Sequence, residues 1–191
     1  MKRLFILLAF VFLSAFFGEQ AYAQFSFHVG YAPERLVEKD NLGEVNMAKY
    51  AGFYGSAMYS FGHVVSFTVG AQARYNKRID GNASAFKSTI PDAQISLEMP
   101  LTIKLNYFFY NSNGFFLKTY PFVGVMPCYK LDKGIASDHK PYDVNLLGGL
   151  YLGYSHYNAY FGYRGGLFDI DNNDATKTST HGWFFGLAFS L

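Results

Sequence analysis

Of the 191 residues only one, Cys128, is a cysteine. That excludes a disulfide framework within the chain and any multi-cysteine zinc site. Charge of either sign is also sparse: 16 Lys and Arg against 14 Asp and Glu leave a net charge of +2. Such a balance offers no basic patch for nucleic acid. Half of the residues are hydrophobic, which excludes extended disorder. After residue 23 no apolar stretch approaches the roughly 18 residues of a spanning helix, so a helical membrane protein is excluded. What abounds is aromatic: 21 Phe, 16 Tyr and 1 Trp. Mean hydropathy is nevertheless only +0.03. The rings must therefore be interleaved with polar residues.

The N-terminus carries the chain's longest apolar run. Met1, Lys2 and Arg3 are followed by an apolar stretch over 4–17 that only Ser14 interrupts, and then by Ala21-Tyr22-Ala23. A basic start, a short apolar core and small residues at the cleavage positions predict a secretory signal, removed before Gln24. No cysteine lies near that site for a lipid anchor. The expected mature domain is 24–191, which is nearly neutral.

Within it, apolar and polar residues alternate. Val65, Phe67, Val69, Ala71, Ala73 and Tyr75 alternate with Ser66, Thr68, Gly70, Gln72 and Arg74. Ile95, Leu97, Met99, Leu101, Ile103, Leu105 and Tyr107 repeat the pattern. Period two marks strands with one apolar and one polar face. Weaker versions begin at Phe25, Ala51, Leu117, Val144, Ala159 and Trp183, giving eight strands and no helix. In the fifth, Tyr120, Phe122 and Met126 place bulk on the face that should be polar.

Short and long connections alternate. Gly62-His63, 111–114 with its Asn-Gly, and 155–157 read as tight turns. The stretches 33–49, 76–91, 132–143 and 169–179 read as long connections holding most of the charge. One end of the hairpins is constrained and the other free, as in outer-membrane barrels. In hydrocarbon every backbone polar group must pair internally, so a sheet spans only by closing on itself. The expected fold is therefore all-β: an eight-stranded antiparallel up-and-down transmembrane β-barrel, in contact with outer-membrane lipid. Tyr31, Tyr50, Tyr75, Tyr107, Tyr129 and Tyr154, near strand ends, suit an interfacial belt. A soluble lipocalin-like barrel would turn the apolar faces inward instead. The orientation of Val65 and Leu101 separates the two.

Glu98, Lys104, Lys118, Arg164 and Arg74 share the polar parity and are expected to converge in the lumen as a structural charge cluster, since buried charges need partners. A narrow ion path is the sharper alternative. At the other end, Gly186, Phe189 and Leu191 fit the spacing of a C-terminal assembly signal and imply the outer-membrane barrel assembly machinery as a partner.

Three stretches carry a family resemblance. Leu97-Glu98-Met99-Pro100-Leu101-Thr102-Ile103-Lys104-Leu105 with Tyr107 and Phe108 resembles the "LEIPLLLKYYF" segment of the PorT-like outer-membrane β-barrels of Bacteroidota. Tyr120-Pro121-Phe122-Val123-Gly124 with Pro127, and Tyr163-Arg164 with Gly166-Leu167 and Asp169-Ile170, resemble two further segments of that family. The chain departs from the pattern at Cys128 and in the order of Tyr163 and Arg164. The resemblance implies the barrel and its compartment but no assigned activity.

No cofactor and no metal site is expected. His181 with Ser179 or Thr180 is the one arrangement placed for hydrolytic chemistry on a lipid, which needs a base within reach of a hydroxyl. It matches no known motif, and an interfacial polar role is the expectation. Asp169, Asp171, Asn173 and Asp174 are oxygen-rich, but the glycine of a calcium loop is missing. The functional expectation is a non-catalytic structural or interaction role through the external loops. A narrow channel, a lipid A-modifying enzyme and a soluble binding barrel are the alternatives.

Overall fold

The computed structural model describes residues 23–80, 91–110, 116–131, 140–154, 156–170 and 176–191. Of the expected signal, 1–23, all but Ala23 lies outside them. Among the described residues, eleven strands form one antiparallel sheet. They are β1 (Gln24–Tyr31), β2 (Glu34–Asp40), β3 (Val45–Gly62), β4 (Val65–Arg78), β5 (Ala93–Glu98), β6 (Leu101–Leu105), β7 (Tyr107–Tyr110), β8 (Phe116–Lys130), β9 (Tyr142–Tyr154), β10 (Tyr157–Gly166) and β11 (Thr176–Ser190).

Eleven strands make eight staves. β1 and β2 both pair with β3 on one side and β11 on the other, so they are one stave interrupted at Ala32-Pro33. The register passes through the interruption unchanged, from Tyr31↔Phe53 to Glu34↔Tyr50. β5, β6 and β7 likewise form one stave against β8, interrupted at Met99-Pro100 and Asn106. Proline supplies no N–H to the ladder, which ends the strand without shifting it. The expected unbroken fourth strand is in this sense three. Because β1 pairs with β11, the sheet closes and has no edge. Neighbouring staves follow chain order throughout, an up-and-down barrel.

The largest departure from expectation is at 33–49. Instead of a long connection, β2 and the first residues of β3 extend the barrel wall, joined by a tight turn. There the Asp40 carboxylate accepts from the backbone N–H of Leu42 at 2.9 Å and of Glu44 at 2.8 Å. At the opposite end Gly62, with φ of 117°, begins the turn into β4.

The two faces are inverted relative to a soluble barrel. Phe53 is 63% and Leu187 64% exposed on the outside, whereas Arg164 on the inside is 2% exposed. Val65 is 38% exposed and points outward, and Leu101 shares that face with exposed Met99 and Ile103. This excludes the lipocalin-like arrangement. Tyr75, Tyr129 and Tyr154 lie exposed on the outer surface as expected. Tyr50 does not: it is buried in the lumen and donates its hydroxyl to the Pro91 carbonyl at 2.9 Å. The side chain of Tyr107 lies outside the described residues.

Candidate functional site

The lumen is filled in layers, and the central one is ionic. Strand parity sends Glu34 of β2, Arg74 of β4, Glu98 of β5 and Arg164 of β10 to the axis. Arg74 reaches Glu34 and Glu98, each at 2.8 Å, through its two terminal nitrogens. Arg164 reaches Glu34 at 2.7 Å and Glu98 at 3.5 Å. Two cations and two anions thus alternate in a closed ring, and each carboxylate serves both guanidiniums. Asn76 donates to Glu34 at 3.0 Å, while Ser96, at 3.2 Å, and Gln72 donate to Glu98. The Cys128 thiol faces the same carboxylate at 3.7 Å. Such saturation is what keeps buried charge tolerable in a low-dielectric interior.

Of the five charges expected to converge, the structure therefore brings together Glu98, Arg74 and Arg164. Glu34 joins them; its stretch reads as loop in the sequence. A signal was present, since Glu34-Arg35-Leu36-Val37-Glu38-Lys39-Asp40 places acids on one parity and bases on the other. Lys104 and Lys118 lie elsewhere, near the turn end. The Lys104 ammonium sits 3.3 Å from Ser60 Oγ and 4.7 Å from the centre of the Tyr151 ring.

Between these lysines and the ionic ring lies an aromatic plug. Tyr54, Phe122, Tyr151, Tyr160 and Phe184 pack with Ala32 and Ala188. The Tyr151 and Tyr160 rings are 4.8 Å apart and those of Phe122 and Tyr151 5.0 Å apart. The bulk on the wrong face of the fifth strand is explained: Phe122 and Met126 point inward and are buried. A small void of about 40 Å³ remains there, bordered by Gln72, Thr102 and Arg164. Toward the loop end, Leu36, Ala48, Tyr50 and Ile170 form a second, smaller apolar layer.

On the outer face, Ser179 Oγ and His181 Nε2 are 3.0 Å apart. Across the strands His181 faces Arg35 and Gly165, and among the described residues no carboxylate lies within ion-pair distance of it. A nucleophile–base pair is normally oriented by a third group, and none is found beside His181 among the described residues. Thr180 points inward, to Asp143 at 3.2 Å. Of the oxygen-rich loop only Asp169 is described, and its carboxylate accepts from the backbone N–H of Thr178 at 2.8 Å. Asp171, Asn173 and Asp174 lie outside the described residues. Of the assembly-signal residues, Phe189 is exposed on the outer wall, and Leu191, also exposed, borders the cavity at the turn end. Gly186 lies opposite Gly30 at the seam.

No protein-family model and no curated protein sequence matches the chain. Among solved structures it is similar to Neisserial surface protein A, at 14% identity and TM-score 0.43, over 85% of this chain and 96% of that one. It is also similar to Ail, the attachment invasion locus protein of Yersinia pestis, at 14% identity and TM-score 0.44, over 88% and 99%.

Proposed function

We propose that this chain is an integral outer-membrane barrel that acts as a structural or interaction protein through its loop-end surface, without catalysis. The observation that carries this reading is the inversion of the faces: a closed wall with an apolar exterior around a charged, filled interior. Only hydrocarbon makes that arrangement favourable, because in water the exposed Phe, Leu and Val of every stave would drive association.

A cationic rim supports it. Arg35, Lys39, Lys49, Lys77 and Lys177 lie on the outer wall just beyond the aromatic positions Phe53, Tyr75 and Trp183. The register sets Arg35 against Lys49 and Lys39 against Lys177. Like charges directly opposed across strands repel, and lipid phosphates at headgroup level relieve that repulsion. Outer-membrane lipid is thus the partner the wall fits. Export by a cleaved signal, delivery to the barrel assembly machinery through Gly186, Phe189 and Leu191, and kinship with PorT-like barrels of Bacteroidota belong to the same reading. They rest on sequence segments alone. A role in adhesion would place the contacts on the loop-end extension of β2 and β3.

Expressed with its N-terminal segment in a Gram-negative host, the protein should fractionate with the outer membrane. It should need detergent for extraction and migrate differently on gels before and after boiling. Recovery from the soluble periplasm would sink the membrane reading, and lipid A deacylation that disappears in His181→Ala would sink the non-catalytic one.

A further inference from the structure

The turn end of the lumen holds a cavity of about 480 Å³, bounded below by the aromatic plug. That is within the size range of small-molecule sites. Ser26, His28, Ser60, Lys104, Lys118 and Tyr151 are among its walls, and among the described residues no Asp or Glu is. The imbalance is built into the chain. Segments 24–30, 55–70, 101–110, 116–124, 147–154, 156–163 and 184–191, which form this half of the barrel, contain two lysines and no acidic residue. The acidic residues among the described ones lie in the other half, where Glu34 and Glu98 neutralise the arginines.

Just behind the wall lies a polar atom without a hydrogen-bond partner. His28 is 2% exposed; its Nε2 lies 2.9 Å from Ser26 Oγ, and its Nδ1 has no hydrogen-bond partner. Lys104, whose ammonium has a hydroxyl and a ring face as neighbours, lines the same space. An inward-pointing ammonium without a carboxylate costs free energy that a bound anion would recover. Besides these groups the cavity exposes the Asn106 and Asn158 amides and the Tyr120 and Tyr151 rings. Amides hydrogen-bond hydroxyls, and ring faces pack against the C–H faces of a sugar.

We infer that this vestibule is a binding site for a sugar-sized organic anion, with Lys104 and Lys118 holding a phosphate or carboxylate group. The arrangement is read from the lumen itself and stands whether or not the barrel spans a membrane. The membrane reading adds only that the mouth opens to the periplasm.

Calorimetric titration of the refolded barrel with glucose 6-phosphate, inorganic phosphate and glucose tests it. Glucose 6-phosphate should bind, inorganic phosphate more weakly, and glucose not measurably. Lys104→Met should weaken the first by about tenfold or more, the scale of one charge-assisted hydrogen bond. Heat-modifiable gel mobility verifies that the variant folds. If it does not, Lys118→Met and the side-chain NMR shifts of Lys104 and Lys118 in the unmutated barrel serve in its place. Binding of glucose as strong as that of its phosphate, binding unchanged by loss of either lysine, or lysine signals unmoved by millimolar glucose 6-phosphate would overturn the assignment.

Discussion

Glu98 shows how much one side chain can hold in this lumen. It accepts from Gln72, Ser96 and two arginines, and the remaining carboxylate, Glu34, cannot neutralise both guanidiniums alone. Glu98→Gln should therefore lower the unfolding free energy, read by urea titration in lipid vesicles, by about 3–5 kcal/mol, the usual cost of orphaning a buried charge. Because both residues belong to one ring, Arg74→Met should cost much less in the Glu98→Gln background than in the parent chain. Additive losses, or unchanged stability, would mean that the charges are not coupled. At this scale the sequence was informative about parity and silent about distance. It placed Arg74, Glu98, Arg164, Lys104 and Lys118 on one face, but only the closure of the barrel decides which of them meet.

At the scale of the element, the seam between β1 and β11 sets the closest tolerance. Gly30 and Gly186 face each other there, and a Cβ at Gly30 would overlap the Tyr54 ring and the Phe185 carbonyl oxygen, one at Gly186 the Tyr160 ring and the Val29 carbonyl oxygen. The two hydroxyls lie 2.9 Å apart, with that of Tyr54 also 3.2 Å from the Phe185 carbonyl oxygen. Each ring fills the gap its glycine leaves, so plug and seam are one packing unit. Gly186→Val should destabilise by about 1–3 kcal/mol through overpacking, read in the same urea titration. Replacing Tyr160 by Ala in that variant should return part of the loss. No recovery would show that the strain lies in the backbone instead. The strand breaks at Pro33 and Pro100 escaped the sequence reading, which ran 95–107 as one strand, because the alternation continues across them; the unchanged register depends on partners that continue past the gap.

For the molecule as a whole, layering decides transport. An apolar layer, an ionic ring and an aromatic plug succeed one another along eight staves, a number just sufficient to enclose packed side chains. The protein should give no discrete conductance steps in planar bilayers, and Glu98→Gln should be equally silent, since the plug does not depend on that carboxylate. Sustained steps from either would require a rearranged lumen and would revive the channel alternative.

Alternating hydropathy settled much by itself. Period two along segments such as 65–75 and 95–107 dictates two-faced strands, and alternating turn lengths dictate a meander, because both are local properties of the chain. The direction in which the faces point is not local. A lipid-facing and a water-soluble barrel share the same alternation, and Val65 is found outside because only the outward solution lets Glu34, Arg74, Glu98 and Arg164 satisfy one another at the centre. The extension of the wall through 34–50 was likewise decided by pairing: β2 is charged enough to read as loop until β3 and β11 are set on either side of it.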